Sequence, residues 1–209
     1  MKDLLKFDYT AHYNQPVSTI DNFYTSTRNI YFELKDDINL VYNDKGQGIA
    51  RFNNPREIEV FVLNYEEFVK SLSPVFKNRR QVCDILLHTA NEKQLLLCEL
   101  TDTLETYVNS FSNDKGSQPG KRNKAIKQLQ QSLSDLIAVP SIAYFIEKYS
   151  IKQCCFFNKQ PKAPVTINAV NAFNRINNLS SNGFEMPIPE IEKFGFRFFE
   201  FWGGMEYAL

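Results

Sequence analysis

The chain has 209 residues, 43% of them hydrophobic and 14% aromatic, with eighteen Phe and ten Tyr, enough apolar material for one generous core and too much for a disordered tail. Lys plus Arg and Asp plus Glu number 24 each, so the formal charge is zero and no global field draws the molecule onto a polyanion; any phosphate site must be a local patch. Met1 to Tyr9 scatters Lys2, Asp3, Lys6 and Asp8 among its apolar residues, unlike a secretion signal, and the longest apolar run, Leu136 to Ile146, is broken by Pro140 and Ser141, so a cytoplasmic protein without a membrane partner is expected.

From Arg28 to Leu63 apolar residues alternate in strand fashion: Ile30, Phe32 and Leu34, then Ile38, Leu40 and Tyr42, then Ile49 and Phe52, then Ile58, Val60 and Val62. Turn clusters at Asn43, Asp44, Gly46 and Gly48 and at Asn53, Asn54 and Pro55 punctuate them, which predicts an N-terminal β-rich section over residues 1–63. Tyr65, Phe68, Val69 and Leu72 then shift to helical spacing, and Pro74 is expected to end that helix. Two compact apolar runs, Val82 to His88 and Leu95 to Leu100, flank Thr89 to Gln94 and read as a hairpin.

Asn109 to Gly120 is polar and predicts a mobile loop. Ile126, Leu129, Leu133, Leu136 and Ile137 predict a long helix over Lys121 to Val139, uninterrupted before Pro140. A second helix over Ile142 to Tyr149, a buried strand over Lys152 to Phe157, a helix over Thr166 to Leu179 and an aromatic strand over Phe194 to Trp202 follow. That last run offers aromatic rings for base stacking or for a subunit interface, though core packing is the commoner use. Cys83, Cys98, Cys154 and Cys155 all fall in strand-like runs without CxxC spacing and read as reduced core residues; with only His12 and His88, a histidine-rich metal site is excluded.

The hairpin carries the chemistry. If its turn is centred on Asn91 and Glu92, Asp84 lies opposite Glu99. One face then presents Val82, Asp84, Leu86 and His88 against Leu95, Leu97, Glu99 and Thr101, and the other is wholly apolar through Cys83, Ile85, Leu87, Leu96, Cys98 and Leu100. Such a pair belongs in the middle of a covered sheet, where an unpaired carboxylate costs on the order of 2 to 7 kcal/mol. Two facing carboxylates repel as well, so a cation is expected between them, and Mg²⁺ or Mn²⁺ is the economical one. The alternative is that each acid sits at a strand end and reaches solvent or pairs with Arg79, Arg80 or Lys124, and a one-residue register slip would separate them.

The text Val82-Cys83-Asp84-Ile85-Leu86-Leu87, then Leu95-Leu96-Leu97-Cys98-Glu99-Leu100-Thr101, then Lys124-Ala125-Ile126-Lys127-Gln128-Leu129 resembles the PD-(D/E)XK nuclease superfamily. The likeness spans Tyr65 to Phe157. It implies an α/β fold, a restriction-endonuclease-like mixed central sheet flanked by helices, with residues 64–160 as the nuclease-like core and 161–209 completing the same domain. It implies also that Asp84 and Glu99 hold Mg²⁺ (or Mn²⁺) for phosphodiester hydrolysis of DNA or RNA, with Glu66 of the preceding helix adding a carboxylate.

Thr101 stands where the superfamily usually has Lys. Some members place that lysine on the following helix, where Lys121, Lys124 and Gln128 share a stripe, and Lys124 is the candidate. Arg79, Arg80, Lys121, Arg122 and Lys127 are the expected nucleic-acid contacts; the plainer reading is that they balance nearby acids. The other outcome the resemblance allows is a catalytically degenerate subunit that binds nucleic acid or partner proteins in a larger defence or mobile-element complex, with homo-oligomer formation left open.

Overall fold

The computed structural model describes residues 1–17, 19–37, 40–78, 80–103, 108, 111–113, 116–118, 120–159, 179–180, 183–203 and 205–209. The predicted helix over 166–179 lies almost wholly outside these residues, as do much of the predicted polar loop and Arg79.

A wide helical turn, Leu4–Tyr9, runs into α1 (Thr10–His12). Then come β1 (Tyr24–Thr27), β2 (Tyr31–Leu34), β3 (Val41–Tyr42), β4 (Ala50–Asn53), β5 (Val60–Asn64), α2 (Tyr65–Ser71) and α3 (Pro74–Asn78). The hairpin follows as β6 (Ile85–Thr89) and β7 (Gln94–Thr101), then β8 (Phe111–Asn113), β9 (Gly116–Gln118), α4 (Lys121–Ile137), α5 (Pro140–Glu147) and β10 (Ile151–Asn158). The chain closes with β11 (Leu179–Ser180), β12 (Gly183–Met186), α6 (Pro189–Glu192), β13 (Arg197–Trp202) and β14 (Glu206–Ala208).

The fold is α/β with a mixed sheet of eight strands in the order β1-β5-β6-β7-β10-β13-β12-β11. β7, β10 and β13 run parallel, and the flanking pairs are antiparallel. Period-two alternation divides its side chains between two cores. Leu86, Leu95, Leu97, Cys154, Phe156 and Phe198 pack under helices, against Phe68 and Val69 of α2, Leu129 and Leu133 of α4 and Ile142 and Ile146 of α5. Ile85, Leu87, Leu96, Cys98, Cys155, Phe157, Phe199 and Phe201 pack instead on Phe32, Leu34, Ala50, Phe52 and Tyr207. Those residues belong to a second sheet, β14-β4-β2-β3, so helices cover one face of the large sheet and strands cover the other.

Three expectations are revised. Pro74 does not merely end a helix; it opens α3, since proline is tolerated in a first helical turn, where its missing N–H has no intrahelical acceptor. The strand-rich N-terminal stretch is shared between the sheets: β1 and β5 extend the large one, and the C-terminal β14 completes the small one beside β4. Cys83 belongs to the helix-covered core and not with Ile85, because the ladder begins only at Ile85 and alternation does not reach back to it. All four cysteines are free and buried.

The small sheet is pinned by Glu33, whose carboxylate accepts from the amides of Gly46 (2.9 Å) and Gly48 (2.6 Å) and meets Tyr31 and Arg51. Burial pushes its pKa up, but these donors together hold it below the usual carboxylate range. Gly48 permits this approach, since a Cβ there would lie 2.5 Å from the Glu33 Cβ and 2.8 Å from the Leu34 carbonyl oxygen.

His88 is a core residue, held between the hydroxyls of Tyr24 and Tyr149, each 3.0 Å from one ring nitrogen. Burial, aided by the N-terminal ammonium, lowers its pKa from 6.5 to about 3. The unfolded chain therefore takes up a proton that the folded chain refuses, so this contribution is complete above pH 6.5 and is lost as pH falls toward 3, by up to roughly 4 kcal/mol. Urea unfolding of wild type and His88→Gln at pH 7 and pH 4 is expected to show that loss in the difference between the two proteins, which isolates His88 from other titrating groups. Among the described residues no helix is long and apolar enough to cross a membrane.

Candidate metal centre

β6 and β7 pair with Ile85 opposite Cys98, Leu86 opposite Leu97, Leu87 opposite Leu96 and His88 opposite Leu95. Asp84 and Glu99 are the residues next beyond the ladder's last pair, Ile85–Cys98, and lie close enough that the Asp84 charge bears on Glu99. Both side chains are nearly closed off from solvent, at 7% and 9% exposure. Asp84 also fastens the next element, because its carbonyl accepts from the amides of Tyr65 (2.8 Å) and Glu66 (3.2 Å) at the start of α2. Its Oδ2 accepts from the Leu100 amide at 2.7 Å. Glu99 Oε2 is buried without any hydrogen-bond partner.

Burial raises the Asp84 pKa to about 7; the Leu100 amide opposes this, and the negative charges of Asp36 and Glu66 add to it. Glu99 is pushed well above the ordinary glutamate value, first by burial and then by the charges of Asp84 and Glu66. Burial and mutual repulsion thus favour the neutral form of both acids.

On one side of the pair, Glu99, Thr101, Lys121, Lys124, Gln128 and Phe156 line a small cavity of about 50 Å³. α4 starts there, after Gly120, and its three- and four-residue spacing turns Lys121, Lys124 and Gln128 to the same place. Gln128 Nε2 donates to the Val82 carbonyl at 3.1 Å, which ties α4 to the segment leading into β6. Thr101 is buried at the end of β7, and its Oγ1 accepts from the Thr103 amide at 3.3 Å.

On the other side stand Glu66, in the first turn of α2, and Asp36, between β2 and β3. One carboxylate oxygen from each of Asp36, Glu66 and Asp84 lies within 4.8 Å of the others. Asn64 organises them: its Oδ1 caps α2 by accepting from the Glu67 amide (3.0 Å), and its Nδ2 donates to Asp36 Oδ1 (3.1 Å). Lys70 bridges Glu66 at 2.6 Å and Glu67 at 2.7 Å. A cleft of about 570 Å³, lined by Phe23, Tyr24, Asp36, Asp37, Asn64 and Glu67 among others, opens beside this group.

The structure thus gathers Glu99, Thr101, Lys121, Lys124 and Gln128 around one cavity, while Asp84 groups with Asp36 and Glu66 beside Glu99. Two arginines expected to contact nucleic acid are placed otherwise. Arg80 turns inward to Asp135 (3.0 Å) with its guanidinium over Phe76 (3.7 Å), and Arg122 makes two bonds (2.8 and 2.9 Å) to the fully buried Glu200. Each neutralises a buried acid, so neither is a free phosphate contact; Lys121 and Lys127 remain exposed. Asp36, Lys70 and Asn64 were not legible as site residues, because they reach the site through the fold and share no motif with the hairpin. The one available signal was the paired acids Asp36 and Asp37 in a turn between strands. Comparison with family models, curated proteins and solved structures finds no match to this chain.

Proposed function

We propose that this chain is a divalent-metal-dependent nuclease of the PD-(D/E)XK type, hydrolysing phosphodiesters of DNA or RNA on a restriction-endonuclease-like sheet in the cytoplasm. One observation carries the reading: Glu99 Oε2 is buried and unpartnered, and the charge of the neighbouring Asp84 bears on the same carboxylate. An orphaned carboxylate oxygen beside a second carboxylate is a donor set suited to a hard cation, and Mg²⁺ or Mn²⁺ fits it, with Asp84 and Glu99 as holders. When bound, such an ion supplies Lewis acidity and an acidified water.

The chain's own residues account for the rest. The Leu100 amide fixes the Asp84 carboxylate, and the β7 ladder fixes Glu99. Lys124 and Lys121 bring ammonium groups to the cavity beside Glu99, where charge building on a phosphoryl oxygen is neutralised. Gln128 holds α4 in place through Val82 and presents a polar group to the same cavity. Thr101 favours a second reading, a nuclease-fold subunit that binds nucleic acid or a partner without cutting, since its hydroxyl supplies no positive charge.

Incubating the protein with single- and double-stranded DNA and RNA in Mg²⁺ or Mn²⁺ separates them. Cleavage is expected in the wild type, with a fall of at least about 10³-fold in Asp84→Ala and Glu99→Ala. Cleavage that survives both substitutions sinks this site, and a wild type that binds nucleic acid without cutting favours the second reading.

A further inference from the structure

We infer that the cleft of about 570 Å³ between β1 and the start of α2 receives one unstacked base of the nucleic-acid strand and favours guanine there; this rests on the nuclease reading and adds a base subsite to it. The volume falls within the range of small-ligand sites, about 300 to 1,000 Å³, and the lining has two contrasting walls. One is aromatic, from Phe23 and Tyr24, and the other is polar, from Asp36, Asp37, Asn64 and Glu67. A flat ring with hydrogen-bonding edges matches that division, since extruded bases are held by stacking and read along their Watson–Crick edge.

The aromatic wall is rigid. The Tyr24 ring lies 5.9 Å from that of Phe61, at 28° to it, and its hydroxyl meets His88 Nε2 at 3.0 Å. Its backbone is laddered to β5, opposite Leu63. Phe23 is half-buried against the helix-covered core. Neither ring has to be ordered when a base arrives, so little entropy is lost on stacking.

The polar wall accepts hydrogen bonds. Two of its acids are balanced by the protein's own lysines, Asp37 by Lys35 at 3.0 Å and Glu67 by Lys70 at 2.7 Å, which makes the wall a row of acceptors more than a trap for cations. Asp36 is held instead by the neutral amide of Asn64, which donates to its Oδ1 at 3.1 Å and leaves the carboxylate acceptor sites to spare. Guanine alone among the bases carries two adjacent donors, N1–H and N2–H, on its Watson–Crick edge, the fork that a carboxylate accepts; uracil and thymine carry one donor between two carbonyls. Position suits the reading as well. A carboxylate oxygen of Asp36 lies within 4.8 Å of one of Asp84, while Lys121 and Lys124, suited to the phosphate, line the cavity on the Glu99 side. Base and phosphate of one nucleotide thus meet surfaces of opposite character.

Single-stranded oligothymidylate and oligouridylate, each with and without one central guanine, test the inference on the full chain, through fluorescence anisotropy in EDTA and single-turnover cleavage in Mg²⁺. The guanine strand is expected to be bound or cut at least about fivefold better by the wild type. Asp36→Asn keeps the oxygen that Asn64 holds and turns the other acceptor into a donor, so it is expected to abolish the preference with Tm unchanged. Phe23→Ala is expected to weaken binding of both strands at least about fivefold. Equal handling of the two strands by the wild type, including none, overturns the inference, as does a preference that Asp36→Asn leaves intact or strand binding that Phe23→Ala leaves at the wild-type level. Guanine-selective binding without cleavage upholds the cleft and defeats the nuclease reading; cleavage without guanine preference does the reverse.

Discussion

Glu99→Gln is expected to make the metal-free protein more stable while abolishing its activity. In the wild type a carboxylate oxygen is buried without a donor next to a second carboxylate, and each charge raises the cost of the other. An amide has the same shape and no charge, and its N–H can donate to Asp84, so the substitution is expected to stabilise by about 1 to 3 kcal/mol. For a chain of this length that is about 2 to 4 °C in Tm per kcal/mol.

The pH dependence follows from the sign of the shifts. Asp84 is raised from 3.8 to about 7, and Glu99 well above 4.5, so the folded state keeps protons that the unfolded state releases. Their contribution is complete below pH 4 and is lost as pH rises through 7. Metal-free wild type is therefore expected to lose stability between pH 5 and pH 8 in urea unfolding, opposite in sign to the His88 effect. Mg²⁺ should restore it at pH 8 by binding the ionised pair, and Glu99→Gln should keep the part of the pH dependence that buried Asp84 carries, lose the part from Glu99, and lose much of the Mg²⁺ effect.

Lys124→Met is expected to reduce cleavage by about 10² to 10³-fold with Mn²⁺ binding and Tm little changed, because its ammonium acts on phosphate charge and not on the fold. The residue is exposed and lines the cavity shared by Glu99 and Thr101. Single-turnover cleavage measures the effect. Thr101→Lys placed in the Lys124→Met background is expected to recover at least tenfold, since position 101 opens on the same cavity. Wild-type rates in Lys124→Met would show that the lysine has not moved to α4.

How much of this was legible depended on the distance over which each residue acts. The hairpin could be read because its register is set locally: Thr89 and Gln94 flank the turn, and the count back from it gives the observed ladder from His88–Leu95 to Ile85–Cys98, with Asp84 and Glu99 the next residues beyond. α4 was equally plain from Leu129, Leu133 and Leu136, with Lys121, Lys124 and Gln128 falling on one stripe as its helical period dictates. The two-sided burial of the sheet was implied by the hairpin's apolar faces. Its second cover, the sheet formed by β2, β3, β4 and β14, was not, because β14 pairs with β4 across about 155 residues of chain and no short-range pattern announces that contact. The same holds for Asp36, and for the buried acids Asp135 and Glu200 that capture Arg80 and Arg122. A basic residue's partner is decided by tertiary placement, so a cluster of positive charge in the sequence overstated the free positive surface.

The central claim is that Asp84 and Glu99 together hold a divalent cation. Crystals equilibrated with Mn²⁺ and measured at the manganese absorption edge test it most directly. The expected result is an anomalous peak about 2.1 to 2.4 Å from a carboxylate oxygen of each residue, absent in Glu99→Gln. A map with no peak at this pair in the wild type, or one in which Lys124 or another side chain reaches in to pair with Glu99 Oε2, would contradict it.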